Sequence, residues 1–527
     1  MLIKTLISLI KSNKKMLSSS ISTLVFINML LAVAALLRDI VLAYYLGTSP
    51  QSDALLIALF IPDTVGNNLF AAAVGVACVP VFAKLWILGQ KERLGRTLKN
   101  SVLMFWGAAL ILTILMILGR EEIIQLLSPG MSEETSELTI KLLCILLPTI
   151  LFYPLYNIGA SIMQVYKKFN LPALGPLVFN MIFLFSITYG ILNDVFIQNG
   201  VFIIAWGITC GVVFMAVLVW GGFAGLYYYQ EGRLDESGPR QKISSSQDLK
   251  SILGTFFPYF LILLAMQTVF FAERYLASII GEGTISGLNY AYRIAQFPIW
   301  VFVAAISTVV FPDMAKSSGI GDYDLFRGTF NRAIRLIALI TVPLTLTICL
   351  LRVPIISVLL QRGAFDQPSL QITADILAGY SLTIVGQGMI YIGLRFFMAM
   401  GKTIQPLVIL ASTSLITIAA DFYLTTVFGP AGLGYGAAFG SILNLCFFFL
   451  ILKKALGVKM KKATRKIYEI LLVNSPLFII LIFLNRLWYF LELENFGLKL
   501  CFGMGAGLIL TTVYFWALYL LRKKREA

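Results

Sequence analysis

Apolar residues fall in runs of about 20 or more from Leu24 to Leu518, separated by short polar or turn-forming clusters. A helix needs about 20 such residues to cross bilayer hydrocarbon, so the pattern predicts an all-α integral membrane protein. Breaking the runs at their turn clusters predicts fourteen transmembrane helices. The first six span roughly 22–46, 54–83, 101–118, 137–160, 171–192 and 199–227. The second six span roughly 252–280, 289–314, 334–358, 370–398, 404–427 and 431–452, and a final pair occupies 468–490 and 496–520. Ahead of them, MLIKTLISLIKSNKKMLSSS scatters lysines through a short apolar pattern, with no small-residue cleavage site, and reads as an amphipathic lead-in helix on the membrane surface.

The longest polar stretch, EGRLDESGPRQKISSSQDLK, separates the two sets of six as a linker. The expected organisation is an N-lobe over 1–229, a cytoplasmic linker over 230–250, a C-lobe over 251–455, and the last two helices with a basic tail over 456–527. An internal repeat supports it: a shift of 236 residues places Arg38 on Arg274, Gly47 on Gly283, Asp53 on Asn289 and Pro62 on Pro298. Six helices separate the copies, so both run the same way through the membrane, a parallel repeat of two six-helix lobes.

Charge sets the orientation. Lys and Arg collect in alternate loops, at Lys4 to Lys15, Lys84 to Lys99, Lys167 and Lys168, Arg233 to Lys250, Lys316 to Arg332, Lys402, Lys453 to Lys466 and Arg522 to Arg525. The loops between them are short and neutral or acidic, so both termini are expected in the cytoplasm. The net charge of +15 therefore reports topology, and nucleic acid is not an expected partner. Hydrophobic residues make up 59% of the chain, against about 45–50% in soluble proteins. The six cysteines stand singly in apolar runs, as small hydrophobes do.

An ionisable residue inside a span costs about 2.5–3.5 kcal/mol on insertion scales and is kept where protein or a wet cavity receives it. Arg38, Asp39, Asp53, Glu273, Arg274 and Arg293 all fall in the outer halves of helices 1, 2, 7 and 8. Gathered between the lobes they would line a polar cavity; the alternative is that they pair with neighbours or reach the headgroups. A guanidinium fork suits a phosphate or pyrophosphate, which makes an anionic lipid headgroup the expected substrate. Asp63 follows Pro62 deep in helix 2, with Asn67 and Asn68 a turn on, and marks either a hydrated kink or a gate. Glu273, Asp421 and Thr417 offer oxygen ligands for sodium as a coupling ion; the rival is an ion pair of Glu273 with Arg274 or Arg293.

The chain has no histidine and no GxxxxGK[ST] loop, which argues against ATP hydrolysis and Ser/His or Cys/His chemistry. No other cofactor is expected. Alternating-access transport remains, beside organic-cation efflux through the acidic residues and a partner-binding scaffold.

Several motifs resemble the MurJ/MviN flippases of the MOP group of exporters. They are RD at 38–39, Gly47 followed by SDA at 52–54, Pro62, VPVFA at 79–83, LNYAYRIAQFP at 288–298, VLLQRGAFD at 358–366 and FFMAMGKTIQP at 396–406, and the resemblance they carry covers nearly the whole chain. The resemblance implies fourteen helices, two lobes in a V, and transfer of lipid II from the cytoplasmic to the outer leaflet of the bacterial inner membrane. It matches Arg38, Asp39, Asp53 and Arg293 to cavity positions, and Glu273 with Asp421 to a sodium site of some members. Family members usually carry a second arginine in helix 1, where this chain has Leu31 to Ala35, and a basic pair after the helix 2 proline, where it has Gly66 and Asn67. A Wzx-like flippase for capsule, exopolysaccharide or teichuronic-type precursors and a MATE-like cation exporter are the alternatives. Expected partners are an undecaprenyl-pyrophosphate-linked saccharide, membrane lipids and cell-wall or polysaccharide assembly proteins.

Overall fold

The computed structural model describes residues 19–193, 195–231, 245–303, 306–307, 310, 314, 323–399, 404–456, 460–491 and 495–526. The amphipathic lead-in, most of the expected linker, and Lys316 and Lys402 lie outside them. Among the described residues every regular element is a helix. By internal contacts the chain forms two compact units, Met1–Tyr275 and Leu276–Ala527.

The first unit holds α1 (Ser19–Leu46), α2 (Pro50–Ile61), a π-helical stretch Pro62–Ala71, α3 (Ala72–Ile87), α4 (Lys91–Leu118), α5 (Arg120–Leu127), α6 (Glu133–Leu146), α7 (Thr149–Val165), α8 (Asn170–Leu192), α9 (Ile197–Glu231) and most of α10 (Ser245–Ile280). Within it α8 packs on α1 and α9, while α7 takes α3, α4 and the π-helical stretch. At its start α10 is pinned by Asp248, which receives Arg93 Nε and Nη2 at 2.7 Å each and the Thr97 hydroxyl at 3.1 Å. Further along, Phe256 of α10 meets Phe70 and Phe105 edge-on or tilted, with centroids 5.6 and 5.2 Å away.

The second unit holds α11 (Thr284–Pro298), a π-helical turn Ile299–Val303, α12 (Tyr323–Leu350), α13 (Arg352–Leu359), α14 (Gln367–Ala399), α15 (Ile404–Phe428), α16 (Pro430–Leu456), α17 (Met460–Leu491) and α18 (Phe496–Glu526). Here α16 lies against both α14 and α15, and α12 and α11 cover α14. The last two helices dock on α12 and α13 through Leu351, Leu477, Leu481, Leu484, Ala506 and Leu510.

Thirteen helices among the described residues are long and apolar enough to span a membrane. They coincide with thirteen of the fourteen expected. At the position of the eighth, 289–314, the structure has α11 running into its π-helical turn. Three expected helices are interrupted: the second, by the π-helical stretch from Pro62, the fourth, which breaks between Leu146 and Thr149, and the ninth, which breaks between Leu350 and Arg352.

The internal repeat has a physical form in each unit. Gly47 (φ 58°) and Gly283 (φ 78°) both adopt the left-handed conformation that glycine enters without a Cβ penalty, in the turns before α2 and α11. Pro62 and Pro298 each stand where α-helical winding gives way to π-helical winding. Proline has no N–H to donate and crowds the carbonyl four residues back, and widening the turn relieves both.

Asp366 caps α14, its carboxylate accepting from the Ser369 N–H at 2.9 Å and hydroxyl at 2.6 Å. Those bonds hold its carboxyl below the usual carboxylate value. The folded group thus gives up its proton more readily than the unfolded one, and its contribution is present at neutral pH and lost as pH falls through and below the usual carboxylate range. Asp366→Ala is expected to cost about 1 kcal/mol at pH 7. Unfolding curves of the two proteins should converge in acid.

Candidate functional site

In the first unit Arg38 and Asp39 sit on the face of α1 that packs on α8, 6% and 4% exposed. Arg38 donates to Asp39 Oδ1 from Nε at 3.0 Å and from Nη2 at 2.6 Å. Its Nη1 donates to Asn180 Oδ1 at 2.7 Å, and its guanidinium lies 4.9 Å from the Phe183 ring centroid. Asn180 is oriented in turn because its Nδ2 donates to the Pro176 carbonyl at 2.7 Å, which leaves Oδ1 for the arginine. Asn180 and Phe183 were not legible as part of a site; the only signal was a lone asparagine in the apolar run of α8.

The repeat-related arginine is arranged in the same manner. Arg274 Nη1 is 3.2 Å from Glu273 Oε2, and its guanidinium lies 4.6 Å from the Phe60 centroid and 5.8 Å from that of Phe270. Glu273 is 1% exposed, and the ion pair expected as its alternative role is the one observed with Arg274. Arg38 and Arg274 thus each have an adjacent acid on their own helix and an aromatic face beneath them.

Asp53 lies buried in the first turn of α2, one turn beyond the cap that Ser49 makes to the Ser52 N–H at 3.3 Å. A carboxylate there is favoured by the partial positive charge of the helix N-terminus. Asp63 lies in the π-helical stretch, half-buried, with Oδ1 accepting from Asn67 at 3.0 Å and Oδ2 from Asn68 at 3.3 Å. Gly66 lets this stretch lie on α7: a Cβ there would come within 3.0 Å of Ile150 and 3.2 Å of Tyr153.

In the second unit Arg293 is half-buried on α11 with its guanidinium 5.7 Å from the Trp300 centroid. One turn on, Gln296 ties α11 to α14 by donating to Gln387 at 2.5 Å. Two motifs singled out in the sequence meet here: Tyr290 packs edge-on against Phe365 at 5.7 Å, both about 1% exposed. Arg362, in the same loop as Phe365, lies 4.0 Å over the Phe496 ring, and the neighbouring Gln361 accepts from Lys499 at 2.9 Å. These side chains fasten α18 to the loop after α13.

Thr417 and Asp421 share one buried face of α15, set against a glycine row on α16. A Cβ at Gly440 would overlap the Thr417 side chain, one at Gly436 the Asp421 carboxylate, and one at Gly432 the backbone of Leu424 and Thr425. Thr413 hydrogen-bonds Asn444, continuing the four-residue rhythm. Thr417 donates its proton to the Thr413 carbonyl at 3.0 Å. Of the expected trio, Thr417 and Asp421 lie together in the second unit, and Glu273 belongs to the first, where Arg274 engages it.

A multi-helix fold with proline-broken spans and arginine–acid pairs inside them defines a polytopic membrane transporter. A family profile described as lipid II flippase MurJ matches residues 42–504, and the chain belongs to that family. It is 24% identical to the lipid II flippase MurJ of Burkholderia cenocepacia over 430 residues, 80% of this chain and 81% of that one. It is 25% identical to the probable lipid II flippase MurJ of Rickettsia prowazekii over 505 residues, 95% and 96% of the two chains. Among solved structures it resembles a lipid II flippase MurJ in an inward closed conformation, with TM-score 0.73, 24% identity, and 94% and 99% of the two chains covered. An inward-facing multidrug resistance MATE family transporter of the MOP superfamily shares the fold at TM-score 0.66 and 18% identity, over 81% and 94% of the chains.

Proposed function

We propose that this protein carries lipid II, an undecaprenyl-pyrophosphate-linked peptidoglycan precursor, from the cytoplasmic to the outer leaflet of the bacterial inner membrane by alternating access. The observation that carries the reading is the family match over residues 42–504, with relatives named for that activity along 80–95% of the chain. The capsule-type and cation-efflux alternatives have no comparable support, since the likeness to the multidrug exporter is one of fold. Both termini face the cytoplasm in this proposal, as the loop charges favour.

Arg293 is the proposed contact for the pyrophosphate, being permanently charged and able to donate in parallel. Arg38 takes an anion only by exchanging Asp39 and Asn180 for it, which makes Asp39 its positioning residue. Arg274 stands in the same relation to Glu273; Asp53 and Asp63 belong to the polar lining. Sodium, the proposed coupling ion, is a hard cation that takes oxygen donors. Thr417 and Asp421 supply two from one helix face of the second unit, and Glu273 is a further candidate donor in the first. The protein's own work is to hold the charged head and exclude lipid; no bond in the substrate is made or broken.

The test is complementation of a bacterial strain depleted of its lipid II flippase, with lipid II in the outer leaflet measured directly. The wild-type chain is expected to restore growth and lipid II export, and Arg293→Ala to abolish both while remaining in the membrane. Failure of the wild type with normal expression overturns the assignment of lipid II. Full export by both Arg38→Ala and Arg293→Ala overturns the binding roles.

A further inference from the structure

The intramembrane acids differ in how their charge is met. Asp39 has Arg38 and Glu273 has Arg274. Asp63 makes no ion pair among the described residues; its carboxylate accepts from the amides of Asn67 and Asn68, and Tyr153 of α7 stands close enough to interact with its charge. It lies 13 residues from the start and 24 from the end of the 38-residue span Pro50–Ile87. At 1.5 Å per residue those are about 20 and 36 Å of helix, so its depth is that of the hydrocarbon. Asp63 and Asn67 are half-buried and Asn68 is exposed. A polar surface at this depth needs protein or water to meet its hydrogen bonds, because lipid would leave them unmet.

The local winding is what assembles the group. In an α-helix a residue five places on is turned roughly 140° away, so Asp63 and Asn68 would face different ways. The wider π-helical turn sets the fourth and fifth residues on either side of the first, and both amides reach the one carboxylate. Single π-helical turns concentrate at functional sites, and here the stretch runs for ten residues. Each asparagine carries an amide oxygen beside the nitrogen it now donates. A half-turn of the side-chain amide presents that oxygen instead, giving one carboxylate and two amide carbonyls around a point open to water. That is a donor set for a hard monovalent cation.

We propose that Asp63, Asn67 and Asn68 form a sodium site in the first unit, separate from Thr417 and Asp421 and independent of which lipid the protein carries. The bound ion replaces the missing basic partner of Asp63 and is completed by water. Loading it rotates the two amides away from donation.

The experiment is equilibrium binding of radioactive sodium to the purified full-length protein in detergent, with choline as the replacing cation, in the Asp421→Asn background. That parent is expected to keep saturable sodium binding. Adding Asp63→Asn removes it, and adding Asn67→Leu with Asn68→Leu weakens it roughly tenfold or more through loss of two ligands. Gel filtration checks folding; should Asp421→Asn or Asp63→Asn fail it, the wild type serves as parent and the asparagine pair as variant. Binding that survives in the Asp63→Asn protein, or is unchanged in the asparagine variant, overturns the site. Absence of sodium binding from a folded Asp421→Asn parent does the same, and none of these outcomes bears on lipid II export.

Discussion

Asp39→Ala is expected to destabilise the protein by about 3–5 kcal/mol, the cost of removing one partner from a buried ion pair. The size follows from what remains. Arg38 is 6% exposed, and loses the acceptor that its Nε and Nη2 share while its charge stays buried. Asn180 offers one carbonyl oxygen and no charge, so it cannot take over. Arg38→Met with Asp39→Leu should cost far less than Asp39→Ala, because it removes both desolvated charges and fills the space with apolar atoms. Equilibrium unfolding in mixed micelles measures both. If the double variant were as damaged as the single, the buried charge would not be the cause. In export assays the double variant separates folding from function, since it keeps the packing and lacks the cation.

The second large effect is expected at the crossing of α14 and α16. A Cβ at Gly434 would overlap the Ile376 carbonyl oxygen, and one at Gly379 would overlap the backbone of Gly434 and Tyr435. These are main-chain neighbours, which no change of rotamer can move aside. Gly434→Leu must force the helices apart along their length, and overpacking of this sort costs at least about 1–3 kcal/mol. The expected result is loss of the monodisperse peak in gel filtration of a fluorescent fusion. Gly254→Leu, where a Cβ meets nothing within 4 Å, should leave the peak intact. Gly436→Ala should fall between them, because there the obstacle is the end of the Asp421 side chain.

Part of this arrangement was legible from the residues. Arg38 next to Asp39 and Glu273 next to Arg274 are neighbours in the chain, so their pairing was among the readings available. The reach of Arg38 to Asn180 is a different matter, since 142 positions separate them and one asparagine in an apolar run does not name its partner. The row Gly432, Gly436 and Gly440 follows the four-residue spacing of close helix packing, yet the spacing does not say that Thr417 and Asp421 fill it. LNYAYR and RGAF stood out as motifs. Their joining through Tyr290 and Phe365, and the fastening of α18 by Arg362, belong to long-range packing.

By itself the sequence determined the membrane-spanning class, nearly every span, the repeat and the residues whose charge has to be accommodated. Those properties follow from the length of apolar runs, the cost of charge in hydrocarbon and the conformational limits of glycine and proline, all of which act within a few turns of chain. Tertiary structure alone decided which charges are already neutralised inside their own unit. It set Arg38 and Arg274 against acids and aromatic faces, and seated Asp421 against glycines. It also wound the chain at Asp63 so that two amides face one carboxylate. The physical reason is that a buried charge takes its energy from the few groups within hydrogen-bonding reach, and packing between distant segments chooses those groups.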